Sequence, residues 1–387
     1  MTQSRSQTLL VIAPNATSLC RFRAELIGEF LRSGWQIIVC MPEGHPDKQR
    51  RVRSLGVAVR VVEYSRASIS PIADIKAMIR ITSLIREVRP DLIFTYGTKS
   101  IILGGTAARL ANAPRLVAMI AGLGYAFGEA GGLGRRALSR VLRLCYAEAL
   151  RTAECVVFQN DDDLEIFRSS NLLGHRTKTV RVHGSGVDLR FYSQAPLSRT
   201  AAPIFLLASR LLKEKGVAHF VSAARIVRAK YPDVRFQLLG PLDPNPASIT
   251  DTELRSWIAE GIIEYLGHTD DVRPHIAAAT VVTLPTYYRE GVPRVLLEAL
   301  AMGRAVITTD TPGCRDTVEE EVNGLLVQPR NFQALAVAME RFAQDHPGLA
   351  VRMGNRSRSL AERRFDVQEV NRTLLQAFSI ENRTPIA

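Results

Sequence analysis

Short apolar, β-branched runs alternate with longer amphipathic stretches along the whole chain, and the alternation runs through twice. Runs that are apolar at every position read as strands buried on both faces of a parallel sheet, and the stretches between them supply the crossover helices. In the first half the expected strands are Leu9–Ala13, Trp35–Met41, Val57–Val62, Leu92–Tyr96, Leu116–Ile120 and Cys155–Gln159, with a weaker one at Thr179–Val182. Helical periodicity covers Phe22–Leu31, Ile72–Val88, Ser100–Leu110 and Arg135–Leu150. After a polar, proline-bounded stretch from Tyr192 to Pro203 the pattern restarts, with strands at Ile204–Ala208, Val234–Leu239, Ile263–Leu266, Val281–Pro285, Ala305–Thr309 and Leu325–Val327. The reading is α/β: two tandem Rossmann-like doubly wound domains, 1–195 and 196–365, with a cleft between them. A last helix, Val367–Ser379, has no strand after it, and 366–387 is expected to pack back on the first domain.

The chain has 387 residues, enough for two domains, and its 46% hydrophobic and 23% charged residues exclude a disordered or fibrous protein. Five widely spaced cysteines without a Cys-x-x-Cys pair indicate neither a disulfide framework nor a zinc site, which fits a reducing cytoplasm. The apolar run Leu9–Pro14 is too short for a signal peptide or a bilayer span. The net charge of +12 is unevenly placed: residues 1–198 hold 27 Lys and Arg against 16 Asp and Glu, and 199–387 hold 23 against 22. A basic first half calls for an anionic partner there.

The densest motif is Arg289-Glu290-Gly291-Val292-Pro293-Arg294-Val295-Leu296-Leu297-Glu298-Ala299-Leu300-Ala301-Met302-Gly303, directly after an expected strand. Pro293 suits the first helical turn and Gly303 the stop. The backbone N–H groups near Gly291 and Val292 would form an anion site at the helix start. At about 1.5 Å per helical residue, Glu290 and Glu298 would lie about 12 Å apart, too far for a catalytic carboxylate pair but suited to opposite ends of a long ligand. On spacing alone, a capped surface helix with Glu290 complementing the dipole explains the segment as well. The second signal, Ser209-Arg210-Leu211-Leu212-Lys213-Glu214-Lys215-Gly216, puts two cations after a strand, where they would neutralise a diphosphate.

Together with Gly240-Pro241-Leu242-Asp243, Glu264-Tyr265-Leu266-Gly267-His268, Thr309–Arg315 and Asn323–Val327, these segments resemble the glycosyltransferases of family four, which have the GT-B fold. The resemblance implies a retaining transferase that needs no metal or other cofactor and uses a nucleotide-sugar, taken as a UDP-sugar, as donor. It implies that Arg210 and Lys215 bind the diphosphate, that Glu298 holds the ribose, and that Glu290, Gly291 and Val292 meet the donor sugar and phosphates, with Gly240 and Leu266 completing the donor site. Catalysis is assigned to Glu290, Arg210 and Lys215.

In the first half the chain departs from many relatives, with Ala121 before Gly122 where they place a histidine. Ala13–Arg23 and Ala121–Phe127 instead resemble a subgroup that extends polyprenyl-diphosphate-linked sugars for capsule, O-antigen or glycan precursors. Arg21, Arg23, Lys99, Gly122 and Tyr125 are the acceptor-side candidates. Leu133–Leu144 interleaves arginines with leucines, as in a helix lying in a headgroup layer, although a core helix with a solvated arginine face has the same composition. The expected location is therefore cytoplasmic and peripheral on the inner membrane face, with an anionic membrane surface as partner.

Other chemistry is disfavoured. Asp161-Asp162-Asp163 reads as a helix start, no Gly-x-Gly-x-x-Gly follows the first strand, the seven histidines lack metal spacing, and nucleic-acid binding has no motif beyond the charge. Two alternatives stay open: a nucleotide-sugar 2-epimerase, and a catalytically idle lipid- or nucleotide-binding protein.

Overall fold

The computed structural model describes residues 6–64, 70–123, 133–198, 200–243, 245 and 247–378. The chain divides into two compact units, 1–185 with 370–387, and 186–369. The first unit thus ends at Ser185, before the expected boundary at 195, and the second runs to Glu369.

The first unit contains β1 (Thr8–Ile12), α1 (Ala16–Phe22), α2 (Ala24–Arg32), β2 (Gln36–Met41), α3 (Pro46–Arg53), β3 (Ala58–Val61) and α4 (Pro71–Val88). It continues with β4 (Leu92–Tyr96), α5 (Thr98–Leu110), β5 (Leu116–Ile120), α6 (Leu133–Leu150), β6 (Cys155–Phe158), α7 (Asp161–Ser169) and β7 (Lys178–Arg181). All seven strands are parallel in the order β3-β2-β1-β4-β5-β6-β7. Every residue of β1, β4, β5 and β6 is buried, as continuous apolar strands covered on both sides must be. One face packs under α4, α5 and α6 through Ile12, Ile93, Ala118, Ile81, Ile101 and Tyr146. The other packs under α1, α2 and α3 through Leu9, Val11, Phe94, Leu19, Phe30 and Val52. Val370, Leu374 and Phe378 join that second face, with the Phe378 ring 5.4 Å from Phe30 and 5.3 Å from Phe94.

The expected helix Phe22–Leu31 is two helices. Asn15 accepts from Ser18 N at 2.8 Å and starts α1 early, and Arg23 leaves helical geometry at φ −132 and ψ −1. The helix α3, opened by Pro46 at its first position, was not foreseen.

The second unit contains β8 (Ile204–Ala208), α8 (Val217–Lys230), β9 (Arg235–Leu239), α9 (Asp251–Ala259), β10 (Glu264–Tyr265), α10 (Arg273–Ala278) and β11 (Val281–Leu284). It ends with α11 (Arg294–Ala301), β12 (Ala305–Thr309), β13 (Gly324–Val327), α12 (Phe332–Gln344), α13 (Gly348–Arg364) and the start of α14 (Val367–Ala377). Its six parallel strands run β10-β9-β8-β11-β12-β13. Thr250 and Glu253 cap α9 reciprocally, the Glu253 carboxylate accepting from Thr250 N at 2.8 Å.

The segment 186–197 is not a loose linker but part of this unit. Val187 N donates to Phe365 O at 2.7 Å, and Val187 and Tyr192 are buried in the unit's core. Arg304, 1% exposed, donates to the carbonyls of Ala195 and Pro196 at 2.8 and 2.9 Å and to those of Ile276 and Ala277 at 3.0 and 2.7 Å. Six carbonyl contacts in all satisfy this guanidinium, and burial lowers its pKa to about 10.

Candidate active site

In both sheets the connections leave in opposite directions from two adjacent central strands, β1 and β4 in the first and β8 and β11 in the second. Open parallel sheets bind ligands at such a switch point, outside the carboxyl ends of the strands. In the second unit the loops at that point are 209–216 and 285–293, the two that carry the strongest sequence motifs.

Glycine makes this edge compact. Gly216, at φ +78, lies so close to the Pro285 carbonyl that a Cβ would be 2.0 Å from its oxygen. A Cβ on Gly240, at φ +142, would be 1.8 Å from Ser209 O, and one on Gly313, at φ +75, 1.2 Å from Gly291 O. Only a residue without a Cβ permits these approaches and these φ values. The 3-10 turn Lys213–Lys215 is fastened to the loop after β11 by Tyr287 N and Thr286 Oγ1, which donate to Glu214 O at 2.9 and 3.0 Å.

These close packings bring Lys215 to Glu290, with Nζ 2.6 Å from Oε2 and both side chains 14% exposed. The Lys215 ammonium also lies 5.9 Å from the centre of the Tyr288 ring. Arg210 Nη1 donates to Asp243 Oδ2 at 2.8 Å. Cys314 is fully buried beside this group, and its thiol is pushed up to about 12, first by burial and then by the Glu290 carboxylate. It is a neutral packing group and not a nucleophile.

The helix after β11 starts later than expected. Pro293 is its N-cap, with φ −63 and ψ 123, and Arg294 is the first helical residue. Gly291 and Val292 therefore precede the helix, and the amides that its geometry leaves without intrahelical acceptors begin at Arg294. Glu290 lies outside the helix, so the helical rise does not set its distance from Glu298. Gly303 sits just past the end at φ +70, as the stop signal implies. Glu298 is 1% exposed: its Oε1 accepts from Tyr192 OH at 2.9 Å and from Arg294 Nε at 3.0 Å. The carboxylate thus ties α11 to the 186–197 segment. Tyr192 was missed as a partner because no spacing rule links residue 192 to a helix a hundred residues later, whereas Arg294 stands four residues before Glu298 on the same helix and was open to an i,i+4 reading. Gly240 accepts from Tyr265 OH at 3.0 Å, and Leu266 N donates to Leu238 O at 2.8 Å, which sets both at the carboxyl edge.

In the first unit the switch-point loops touch where a Cβ on Gly97, at φ +82, would be 3.2 Å from Pro14. Lys99, in the first turn of α5, is 2.8 Å from Asp74 in the first turn of α4. Arg21 is exposed at the end of α1. Arg23 is only 3% exposed, with Nη2 2.9 Å from Met119 Sδ, Nη1 3.1 Å from Phe22 O and its guanidinium 5.3 Å from the Tyr96 ring centre. Gly122 follows β5 at φ +100, with exposed Ala121 before it. Tyr125 lies outside the described residues, as do 124–132 of that loop. Asp161–Asp163 do start α7: Asn160 accepts from Asp163 N at 2.8 Å, and Asp161 pairs with Arg181 at 3.2 Å. Among the described residues no group of three or more His, Cys, Asp and Glu side chains is placed to hold a metal ion.

Two family models match in tandem, the glycosyl transferase 4-like domain over 21–185 and glycosyl transferases group 1 over 202–345. The chain belongs to the family-four glycosyltransferases, and it is an enzyme of that class with the GT-B fold. Over 338 residues it is 26% identical to the N,N'-diacetylbacillosaminyl-diphospho-undecaprenol alpha-1,3-N-acetylgalactosaminyltransferase of Campylobacter jejuni, covering 85% of this chain and 87% of the relative. It is 25% identical to the UDP-Gal:alpha-D-GlcNAc-diphosphoundecaprenol alpha-1,3-galactosyltransferase of Escherichia coli, covering 72% and 73%. Among solved structures, Anabaena Alr3699/HepE in complex with UDP superposes with a TM-score of 0.76 at 20% identity, over 96% of this chain and all of that one, which supports the fold.

Proposed function

We propose that the enzyme transfers a sugar, an N-acetylhexosamine, from a UDP-sugar to a polyprenyl-diphosphate-linked saccharide during surface polysaccharide or glycan synthesis, with retention at the anomeric carbon. The observation that carries the reading is the Lys215–Glu290 pair, 2.6 Å apart and mostly buried, at the switch point of the second sheet. The names of the Campylobacter and Escherichia relatives, both transferases on undecaprenyl-diphosphate-linked sugars, support the acceptor class, and the UDP-Gal in the second name supports the nucleotide.

In this reading the donor diphosphate sits against Lys215, Arg210 and the amides at the start of α11. These groups stabilise the charge that grows on the leaving phosphate. Because Arg210 already holds Asp243, it can reach the phosphate only by sharing or leaving that carboxylate. Glu290 fixes Lys215 and positions the donor sugar. The bond from the anomeric carbon to the phosphate oxygen breaks, a bond to the acceptor hydroxyl oxygen forms on the same face, and the hydroxyl proton passes to the departing phosphate. Glu298, with Tyr192 and Arg294, holds the ribose side of the site in register. The first unit receives the acceptor, whose diphosphate meets Lys99 and Arg21. Arg23 is fixed by its own contacts and is too buried to meet the acceptor directly.

The test is transfer of label from a panel of nucleotide-sugars to undecaprenyl-diphosphate-linked acceptors, with the product's anomeric configuration read by NMR. Label in the organic phase with the donor's configuration retained is expected. An inverted product would overturn retention, and isomerised UDP-sugar without acceptor would point to a 2-epimerase.

A further inference from the structure

An enzyme with a lipid-linked acceptor has to reach a substrate held in the bilayer, and no helix among the described residues is long and apolar enough to cross one. The first unit carries an apolar stripe that its core does not use. On α4, Ala77, Ile81, Leu84 and Ile85 fill the core beneath the sheet, while Ile72, Ile75 and Ile79 point away from it and are 71%, 53% and 58% exposed. Their spacing of three and four residues aligns them over two helical turns, about 10 Å. A helix on a globular domain ordinarily turns polar residues outward, and a row of exposed isoleucines marks a contact surface.

The charges beside the stripe select the partner. Lys76 and Arg80 follow Ile75 and Ile79 and are exposed with them, and the acidic Asp74 is neutralised by Lys99. α5 lies between α4 and α6, all three packed on the same face of the sheet. On α6, Val141 and Leu144 are 55% and 72% exposed, next to exposed Arg136 and Arg140. Both helices begin at the carboxyl edge of the sheet, where the acceptor is expected to bind. By contrast, exposed Val337 and Val351 of the second unit stand on different helices.

We propose that the outer faces of α4 and α6 form the surface with which the enzyme lies on an anionic lipid bilayer, the isoleucines of α4 entering the acyl boundary and the basic side chains lying among the headgroups. Apolar insertion and cationic attraction are the two forces that hold interfacial helices. The inference rests on the lipid-linked acceptor reading and adds to it a second helix, α4, together with an orientation: the carboxyl edge of the first sheet sits close to the headgroup layer, where a lipid diphosphate lies.

Cosedimentation with phosphatidylcholine vesicles, with and without phosphatidylglycerol, tests it. Wild type should pellet with the anionic vesicles, and less so as salt rises. The double variant I75D/I79D should lose binding by about tenfold or more, K76E/R80E should lose it and its salt dependence, and V337D should behave as wild type. Unchanged melting temperatures keep the comparison clean. Transfer by I75D/I79D to a short-chain, water-soluble acceptor should stay at the wild-type rate, while transfer to a long-chain acceptor in vesicles falls. Pelleting of both double variants like wild type would overturn the proposal. So would indifference of the wild type to phosphatidylglycerol, or a dimer in light scattering that I75D/I79D dissociates, which would make the stripe a protein interface. If wild type transfers to neither acceptor, the acceptor reading fails, and the vesicle arm still decides the surface by itself.

Discussion

The two units use the same doubly wound plan and differ in what they do with their charges. In the second, the carboxyl edge is closed by glycine-mediated backbone packing, and two of its cations hold carboxylates, Lys215 with Glu290 and Arg210 with Asp243. In the first, Lys99 pairs with Asp74 at the edge, Arg23 is drawn into the core, and much of the remaining positive charge stands on the outer faces of helices. A site that must orient one small donor benefits from rigid, preorganised charge, and a unit that must meet a long lipid-linked acceptor benefits from surface. On the proposed function, one fold would serve two kinds of recognition by moving charge between the strand edge and the helix exterior.

If rigidity of the second unit matters, its buried anchor should be costly to remove. Arg304→Ala strands its carbonyl partners, including Ala195 and Pro196, and should destabilise that unit by about 3–5 kcal/mol in denaturant unfolding. Next in size, Lys215→Ala should lower kcat/KM by roughly 10²–10³ with the melting temperature kept within a few degrees, because the lost charge acts on the leaving phosphate. Equal loss of stability and activity would instead make Lys215 a structural ion-pair partner.

Glycines sharpen the contrast further. Gly313→Ala places a Cβ 1.2 Å from Gly291 O and should cost about 2–3 kcal/mol and displace the Glu290 loop, with a matching loss of activity. Gly34→Ala in the first unit has a similar φ of +81 with nothing within 4 Å of the new Cβ, and should cost only about 1 kcal/mol, with activity intact. The smallest effect is expected at Glu264, whose carboxyl pKa is lowered chiefly by hydrogen bonds from Arg235 and then from Gln237. Its contribution is present above the unfolded carboxyl pKa and lost as pH falls through the lower folded value. Since the pair is about half exposed, Glu264→Gln should cost at most about 0.5 kcal/mol at neutral pH and nothing in strong acid.

Strand positions and the repeat of the fold were legible because buried parallel strands leave unbroken apolar runs. The two motif-bearing loops at the second sheet's switch point were legible because each gathers its glycines and charges into a short segment. Local geometry was less so. The residue Pro293 serves equally as N-cap and as first helical residue by sequence, and Asn15 outcompeted the apolar periodicity that suggested a helix from Phe22. Long-range partners such as Tyr192 with Glu298, and Arg304 with Ala195, leave no spacing signature. The α4 stripe was hidden because seven of its residues are Ile, Leu or Val, and periodicity alone does not say which of two apolar faces is buried.

On the proposed function, the Lys215–Glu290 pair at the second sheet's switch point drives departure of a nucleoside diphosphate. The most direct measurement of that role is single-turnover transfer from UDP-sugar to a polyprenyl-diphosphate-linked acceptor by wild type and Lys215→Ala, alongside UDP binding by calorimetry. The variant's chemical step should slow by at least about 10² while UDP affinity falls much less. A variant whose loss lies entirely in UDP affinity, with the chemical step unchanged, would contradict it.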